Sequence, residues 1–501
     1  MGVPGLWREL ADHATDATLA DLAWAHWART STLFRLGIDA TSWLYHARKS
    51  RGGAEPELRL VFFRLVRLLA LPVAPLFVLD GTARPAMKRG APVWLGTHPL
   101  EAPFQALVRA FGFAHWRAPA EAEAELAWLS AHGTLDGVLT DDVDTLLFGA
   151  SVVLRHRAVS AEALPDTVAV LDTRSAAWPY DADALVLVAL LAGGDYDAHG
   201  CPACGIRTAM ALARGGYGSS LAAQFRQHFP PTASKAQLDA SCAAWDTFVA
   251  QWRNDMAHEL LTNSHGRLAR KQPRVAQTLR TSAFLGDARA RRWLFDYIWP
   301  CTSERTPRRT QLERLAAHSG AASLRAMARE AQTLFAWSPS TVLARFERAV
   351  WSGVYVRRLL ATAHRTSVDE LTDAMAALMT GPRRSAVLSV HARRRVGQRD
   401  EARVSYEARP FVDQVCQALD MRESCAPCKR RAWVPVALLR AQRHDAAHVQ
   451  ACLVAVPRAS TPPPRLDEYL EQMAPSDDSD VQFLEARVRE VIVLSDDSYS
   501  T

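Results

Sequence analysis

The chain has 501 residues, enough for two or three domains, and 49% of them are hydrophobic, an ordinary fraction for globular protein. It contains no run of about eighteen apolar residues, which argues against a membrane-spanning helix. The net charge is +6, but residues 466–501 hold ten acids against Arg487 and Arg489 and so carry −8, which leaves +14 on the rest. A basic body with an acidic tail is typical of proteins that bind polyanions, although a basic surface can also be a merely solvated one.

The N-terminal stretch MGVPGLWREL has no charged-then-apolar leader, and Leu6 stands where a myristoylation signal needs Ser or Thr. We therefore expect a soluble intracellular protein. The eight cysteines fit a reducing compartment better than a disulfide framework. The two CxxC pairs, Cys201/Cys204 and Cys425/Cys428, lie too far apart in sequence for a shared zinc site and are interpreted as free thiols.

Strands and helices alternate over the first 200 residues. The first 30 residues have helical spacing, and later helices are predicted after Asp39, over 62–71 and over 184–191. Buried strands are predicted at residues 33–38, 76–79, 137–140, 152–154 and 168–171. This alternation predicts an α/β fold with a mainly parallel twisted sheet flanked by helices.

Three predicted strands end in an acid: Asp39, Asp80, and the pair Asp142 and Asp144. Ligands bind beyond the carboxyl ends of the strands in open parallel sheets, so these acids are expected to converge. Each Asp could instead cap the helix that follows it, an explanation that is reasonable for one acid and weak for all of them together.

Further acids, Glu121, Glu123 and Glu125, stand at the entry of a predicted helix just before the third of these strands. Carboxylates held close together cannot all stay ionised unless positive charge lies among them, and divalent metal ions are the simplest source of it. On a regular helix Glu121 and Glu125 share a face, whereas Glu121 and Glu123 do not.

The second half of the chain is less informative. Residues 221–350 are predicted to be helical, residues 382–399 are strongly basic, and a β-like pattern begins at Arg403. Residues 432–439 could pack within a small domain. A proline-rich linker at 461–464 precedes an Asp/Ser-rich tail that we expect to be disordered.

Five motifs occur in a distinctive order: MGVPGLW, GIDATSWLYH, LFVLDGTARPAMKR, the stretch from APAEAEAE to TDDVDTLLFGA, and LLAGGDYDAHGCPACGIRTAMALA. This set resembles the flap endonuclease/XPG family of structure-specific nucleases over roughly residues 1–220. The resemblance implies a PIN-like nuclease core with a helix–two-turn–helix DNA clamp.

The resemblance also implies a two-metal site that holds two Mg²⁺ ions, with Mn²⁺ as a substitute. The implied carboxylate ligands are Asp39, Asp80, Glu121, Glu123, Asp142, Asp144 and Asp195, with Glu125 kept as the alternative to Glu123. Two ions about 3.5–4 Å apart suit in-line hydrolysis of a phosphodiester. Hard oxygen ligands also suit magnesium better than zinc.

Other residues carry implied roles in binding and catalysis. Lys88 and Arg89 match a basic pair that a helix presents to the scissile phosphate, although they could be a solvated basic face, and Gly2 is implied to lie against the active site. In the clamp, whose carbonyls can hold K⁺, the implied DNA-binding residues are Gly200, Gly205, Ile206 and Arg207. Ala203 stands where the family usually has Gly, which suits a left-handed backbone poorly.

Only 40 residues separate Asp80 from Glu121, which implies a short, uncapped arch and so resembles the GEN Holliday-junction resolvases, most of all the fungal ones. The implied domains are a nuclease core over 1–220 with its clamp at about 194–220, a helical extension over 221–305, a C-terminal region over 306–457 and an acidic tail over 458–501. A chromodomain-like module is expected within the C-terminal region, with boundaries that the sequence leaves open.

The expected function is metal-dependent cleavage of branched DNA, above all Holliday junctions, in the nucleus. The protein is expected to be a monomer that pairs on the junction. The alternatives are a 5′-flap endonuclease or 5′-exonuclease, a related RNA nuclease, and a non-catalytic DNA-binding scaffold. The tail quartet Val491, Ile492, Val493 and Leu494, followed by acids, resembles a SUMO-interacting motif, although such a quartet also arises by chance.

Overall fold

A computed structural model describes residues 2–48, 50, 53–93, 96, 98–157, 166–281, 284–317, 319–363, 387–422, 428–442 and 446–456. The acidic tail, its proline-rich linker, the SUMO-like quartet 491–494 and Cys425 lie outside these residues. Within them, no helix is long and apolar enough to cross a bilayer.

A seven-stranded sheet forms the centre of the N-terminal half, with strand order β1-β9-β8-β7-β2-β3-β6. The strands are β1 Thr15–Thr18, β2 Phe34–Asp39, β3 Val73–Leu79, β6 Ala114–Arg117, β7 Gly137–Leu139, β8 Val152–His156 and β9 Thr167–Asp172. The five strands from β8 to β6 run parallel, whereas β9 pairs antiparallel with both β8 and β1. The expected mainly parallel sheet is therefore confirmed.

Helices cover both faces of this sheet because their apolar residues recur at helical spacing. They are α1 Leu6–Glu9, α2 Leu19–Thr30, α3 Ala40–Ala47, α4 Pro56–Leu69, α5 Glu101–Ala110, α6 Ala122–Ala131, α7 Asp144–Leu147 and α8 Ala182–Ala192. Every residue of β3 is buried, as expected for a strand covered on both sides.

Three local elements differ from the sequence-based expectation. Residues 15–18 form the edge strand β1 rather than part of a helix, because pairing with β9 outweighs their helical spacing. Strand β6, at the other edge of the sheet, was not predicted. Between Asp80 and Glu121 the described residues form the short hairpin β4 Met87–Lys88 and β5 Ala91–Pro92, then α5 and β6.

A helical region follows the sheet. It comprises α9 Ile206–Ala213, α10 Tyr217–His228, α11 Lys235–Thr262, α12 Pro273–Thr281, α13 Ala288–Ile298, α14 Arg309–Ala317, α15 Leu324–Phe335, α16 Pro339–Arg345 and α17 Trp351–Ala363. The last three pack back on α4, where Phe62 contacts the rings of Phe335, Trp337 and Phe346. The α8–α13 helices share a second core that includes Trp245 and Trp252.

A small antiparallel sheet lies near the C-terminus, consisting of β10 Ser389–Val396, β11 Arg399–Glu407 and β12 Lys429–Pro435. It is accompanied by α18 Arg409–Ala418, α19 Val436–Arg440 and α20 Ala446–Ala455. Its apolar face joins the core of α15–α17. The turn between β10 and β11 reaches α2, where Arg399 Nη1 donates to Asp21 Oδ1 at 2.7 Å.

Candidate metal centre and DNA clamp

The ends of three adjacent parallel strands bring acids together at one edge of the large sheet. Strand β2 lies between β7 and β3, so Asp39 at the end of β2 is flanked by Asp80, which follows β3, and Asp142, which follows β7. Asp39 and Asp142 are buried. The convergence predicted from the sequence is therefore present.

Helix capping accounts for part of what these acids do. Asp39 Oδ1 accepts a hydrogen bond from Ser42 N at 3.0 Å and so caps α3. Asp80 Oδ1 accepts from Ala122 N at 3.0 Å, at the start of α6, while its other oxygen accepts from Arg84 Nη1 at 3.0 Å. Capping and clustering coexist, because each carboxylate has two oxygens and a cap occupies only one.

The entry of α6 decides between Glu123 and Glu125 as the partner of Glu121. Glu121 is the N-cap residue, outside the regular helix, so it and Glu123 both reach Lys88 Nζ. Glu125 lies fully buried elsewhere and accepts from Trp116 Nε1 at 3.1 Å and Ser303 N at 2.7 Å. The geometry places Glu123 in the acid cluster and gives Glu125 a structural position.

Asp142 and Asp144 form the side of the cluster that faces the N-terminus. Asp142 Oδ1 accepts from Asp144 N at 3.0 Å, whereas Asp144 Oδ1 is buried without a hydrogen-bond partner. Gly2 has φ +80°, and a Cβ there would lie 2.2 Å from Asp144 Oδ1. The chain can approach these carboxylates so closely only because residue 2 has no side chain.

Lys88 and Arg89 enter the cluster from the β4–β5 hairpin, so the expectation that a helix presents them was wrong. Lys88 Nζ lies 3.1 Å from Glu123 and 3.2 Å from Asp195, and it also contacts Glu121. Arg89 Nε donates to Asp195 Oδ1 at 2.8 Å, and Arg89 Nη2 donates to Gly2 O at 3.0 Å. A helix would need φ near −63°, whereas Arg89 has φ +50°.

Two members of this cluster were missed from the sequence. Arg84 pairs with Asp80, and Tyr196 OH donates to Glu121 Oε2 at 2.5 Å. Tyr196 directly follows Asp195 in the motif GGDYD, and Arg84 lies four residues after Asp80, so proximity to the acids was the available signal.

The electrostatics show a cluster that lacks positive charge. Burial, followed by repulsion from Glu123, raises the pKa of Glu121 to about 7 and that of Asp142 to about 6. Burial and neighbouring carboxylates likewise raise the pKa of Asp39 and of Asp144. Asp195 is the exception, since Lys88 and Arg89 outweigh its burial and lower its pKa.

The number of charged groups shows how much positive charge the cluster lacks. Seven carboxylates face four cations, Lys88, Arg89, Arg84 and the N-terminal ammonium that acts on Asp142, so full ionisation would leave an excess of three negative charges. Two divalent cations would more than neutralise that excess, and an all-oxygen donor set is what Mg²⁺ prefers. The residues therefore fit a pair of hard divalent ions in charge and in chemistry.

In the part of the chain that the structure describes, no three His, Cys, Asp or Glu side chains are arranged to hold one ion together. The Lys88 ammonium lies among three of the acids, Glu121, Glu123 and Asp195. Lys88 has to move away from these oxygens before they can bind a cation.

The segment after Asp195 connects α8 to α9 through two turns. Gly200 has φ +60°, and a Cβ there would lie 2.6 Å from Leu191 O, so the fold itself requires glycine. Ala203 has φ +66°, a left-handed conformation that alanine adopts poorly. The motif that this segment resembles has glycine at the same position. Cys201 and Cys204 are buried beside it, and burial raises their thiol pKa values to about 11 and about 12.

Gly205 differs from the other clamp glycine. It is the N-cap of α9 with φ −76°, and a Cβ at this position would meet nothing within 4 Å. The first turn of α9 carries Ile206, which is half-buried, and Arg207, whose side chain is 85% exposed. The N–H groups at this helix start are therefore open to an anion such as a phosphate.

Comparisons with known proteins agree with this geometry. The model of the XPG I-region matches residues 112–195, which contain five of the seven acids. Flap endonuclease GEN homolog 1 of Mus musculus is 29% identical over 251 residues, and Flap endonuclease 1 of Nanoarchaeum equitans is 26% identical over 210 residues. These matches cover 45% and 33% of this chain and 26% and 61% of the relatives, so the chain spans about a quarter of the mouse protein's length.

Solved structures extend the likeness beyond the nuclease half. The Holliday junction-resolving enzyme GEN1 in complex with product DNA and Mg²⁺ is 25% identical, with a TM-score of 0.66, and the match covers 90% of this chain and 99% of that one. The eukaryotic junction-resolving enzyme GEN-1 binding with potassium matches with the same identity and coverage and a TM-score of 0.64. The fold, including the region that holds the small C-terminal sheet, is shared with these structures.

Proposed function

We propose that this chain, which carries an XPG I-region and shares the fold of the junction-resolving GEN enzymes, is a metal-dependent endonuclease that cuts branched DNA, above all four-way junctions. The observation that supports this most strongly is the cluster of seven carboxylates, six of them buried, that outnumber the neighbouring cations at the carboxyl edge of the sheet. A purely structural or scaffolding role gives no reason to keep so costly a cluster.

The residues of this cluster would have distinct roles in phosphodiester hydrolysis. Two bound divalent ions would supply the activated water and neutralise the leaving oxygen. Asp39, Asp80, Glu121, Glu123, Asp142, Asp144 and Asp195 would hold them. Lys88, once released from the acids, lies at the mouth of the site and can stabilise negative charge that develops on the phosphate.

The surroundings of the site favour a branched substrate. The described residues between Asp80 and Glu121 form only a short hairpin, one helix and one strand, so they build no long arch over the acids. Tyr45, on the helix that Asp39 caps, and Met87, next to Lys88, are about half exposed. Exposed side chains of this kind can stack on bases that a branch point leaves without a neighbour.

The decisive assay compares purified protein with Mg²⁺ on an immobile four-way junction, a 5′ flap, a splayed arm and a single-stranded RNA. We expect paired symmetric nicks on the junction. Cleavage confined to flaps or free 5′ ends would identify a flap endonuclease or exonuclease, and a preference for RNA would identify an RNA nuclease.

Substituting the acids distinguishes a catalytic role of the protein from a purely DNA-binding scaffold role. Asp39→Asn and Asp142→Asn should remove cleavage while DNA binding stays within about threefold, since most affinity comes from phosphate contacts elsewhere. If both variants cleave normally, the acid cluster is not the active site.

The clamp can be tested at Gly205. Because a Cβ there would meet no atom within 4 Å among the described residues beyond its chain neighbours, and Ser is a good N-cap residue, Gly205→Ser should fold at least as well as the natural chain. We expect it to weaken duplex binding about tenfold, because its side chain intrudes where a phosphate would approach α9. Unchanged affinity would remove this helix start from the DNA interface.

Several further roles complete the proposal. The clamp turns would hold K⁺, the protein would act in the nucleus, and two copies would pair on one junction. Light scattering with and without DNA tests the pairing, since a stable dimer without DNA contradicts it. The quartet 491–494 would bind SUMO, and replacing its four residues by alanine should abolish capture on immobilised SUMO.

A further inference from the structure

The outward face of the small C-terminal sheet carries an uncompensated basic cluster. Residues 402, 404 and 406 of β11 are buried against the helices, so strand alternation points Arg403 and Ser405 the other way; Arg403 is exposed, whereas Ser405 is buried with its Oγ against His391 Nε2. Arg403 lies opposite Trp433 and Ser405 lies opposite Arg431, which makes Arg403 and Arg431 diagonal neighbours on this face. Both are exposed, and neither forms an ion pair within the described residues.

A histidine and two hydroxyls stand next to this pair. His391 Nε2 lies 3.0 Å from Ser389 Oγ and 2.5 Å from Ser405 Oγ. Burial, and then the charges of Arg431 and Arg403, lower the pKa of His391, so both guanidinium groups act on it. Two guanidinium groups at diagonal positions on adjacent strands repel each other, and an anion bound between them would relieve that repulsion. The cluster is therefore suited to a group with several acceptor oxygens.

The same face is unsuited to methylated lysine, a cation that aromatic cages bind. Its aromatic side chain, Trp433, is already covered by Arg394, whose guanidinium carbon lies 4.0 Å from the ring centroid and whose Nη2 pairs with Glu401. Tyr406 is buried on the opposite face and stacks on Tyr355. Within the described residues the sheet presents positive charge outward, which repels such a ligand.

The chain itself contains a matching anion. Residues 466–501 carry −8, and their densest acidic run is Asp477, Asp478 and Asp480. The described chain ends at residue 456, just after α20, and α20 packs on β10 of the same small sheet. A random-coil segment of about 20 residues has a root-mean-square span of about 25 Å, a length that would allow the acidic run to reach the face.

We propose that the acidic segment around Asp477–Asp480 binds the face formed by Ser389, His391, Arg403, Ser405 and Arg431. Tethering gives the segment an effective concentration in the millimolar range, so individually weak ion pairs suffice. The proposal concerns a surface outside the acid cluster and does not depend on cleavage.

The position of this face gives the contact a consequence. The β10–β11 turn contacts Asp21 in the first turn of α2, directly after β1 ends at the same sheet edge as the acids. Four strand spacings of about 4.8 Å place β1 about 20 Å from β2. A tail docked on this sheet would add negative charge on the side of the molecule where α2 begins and would oppose the approach of DNA from that side.

The test uses the full chain and a fluorescent peptide of residues 466–501 at low salt, read by anisotropy. The tail-neutralised chain, with Asp477→Asn, Asp478→Asn and Asp480→Asn, should bind the peptide about tenfold more tightly than the natural chain, whose own tail competes. Adding Arg403→Gln and Arg431→Gln should lower that affinity about tenfold, within the ceiling of about 25-fold set by two exposed ion pairs that each contribute a factor of up to about five.

Arg267→Gln with Arg329→Gln is the matched control, because both side chains are exposed and lie outside the small sheet, Arg267 between α11 and α12 and Arg329 on α15. Equal peptide affinity for the face variant and this control would overturn the proposal. A second result would also overturn the proposal: the face variant loses affinity for duplex DNA, while the tail-neutralised chain binds duplex DNA no more tightly than the natural chain. The face would then bind DNA rather than the tail.

Discussion

Glu123 and Glu125 lie two residues apart on one helix, and the structure predicts opposite consequences for their substitution. Glu123 contacts Lys88 within the overcharged acid cluster. Replacing it by Gln removes one negative charge from an overcharged cluster and weakens the hydrogen bond from Lys88 Nζ, which Glu121 and Asp195 still hold, so stability should stay the same or rise. Cleavage should fall at least about 100-fold, as loss of one well-placed charged group in an active site commonly does.

Substitution of Glu125 should have the opposite effect, lowering stability and leaving cleavage nearly unchanged. Its two oxygens accept from Trp116 Nε1 and Ser303 N in a fully buried position. In Glu125→Gln the new NH₂ group faces one of these donors, which leaves a buried hydrogen bond to a charged group unmade. Such a loss costs about 2 kcal/mol, or about a 30-fold shift in the unfolding equilibrium. Cleavage below the unfolding transition should change less than threefold.

The two variants are compared by urea unfolding and by Mg²⁺-dependent cleavage of a four-way junction. Each serves as the control of the other, because both exchange a buried Glu of α6 for Gln. A Glu125→Gln chain of normal stability without activity, or a Glu123→Gln chain with normal activity, would refute the assignment.

Three further substitutions test other parts of the molecule. Lys88→Met should lower the cleavage rate at least about 100-fold at saturating Mg²⁺. It should also lower the Mg²⁺ concentration needed for half-saturation, because the ammonium no longer competes for the carboxylates, and a raised Mg²⁺ requirement would contradict this. Ala203→Gly should raise the free energy of unfolding by about 0.5–1 kcal/mol in urea, because alanine at φ +66° costs about 1–2 kcal/mol and the greater unfolded-state entropy of glycine offsets part of that gain. In contrast, Ala244→Gly, at an exposed position of α11, should lower the free energy of unfolding by about 1 kcal/mol. Asp21→Ala removes the partner of Arg399 and should expose the β10–β11 turn to limited proteolysis without lowering the cleavage rate; an unchanged digestion pattern would show that this ion pair does not hold the small sheet in place.

The order of the elements and the position of the acids follow from local sequence. Asp39, Asp80 and Asp142 each come directly after an apolar run, and parallel strands end at the same edge of a sheet. That rule by itself predicts that the three acids lie together. The motif resemblance selected Glu121 and Glu123 and added Asp195, and the structure brings all of them into contact or close proximity with the strand-end acids.

Other features depend on partners far away in the chain, which a local pattern cannot report. Residues 15–18 have helical spacing but become a strand because β9, some 150 residues later, offers its edge. The choice between Glu123 and Glu125 depends on Ser303 and Trp116, and helical periodicity favoured the other answer.

The surroundings of the site show the same division. A basic pair after Asp80 was legible in the sequence, but the hairpin that carries Lys88 and Arg89 is stabilised by Asp195 and Gly2, from opposite ends of the nuclease half. The sequence by itself determined which chemical groups this protein brings to its active edge. Tertiary structure decided which of them touch, because burial and long-range hydrogen bonds select among the conformations that local spacing allows.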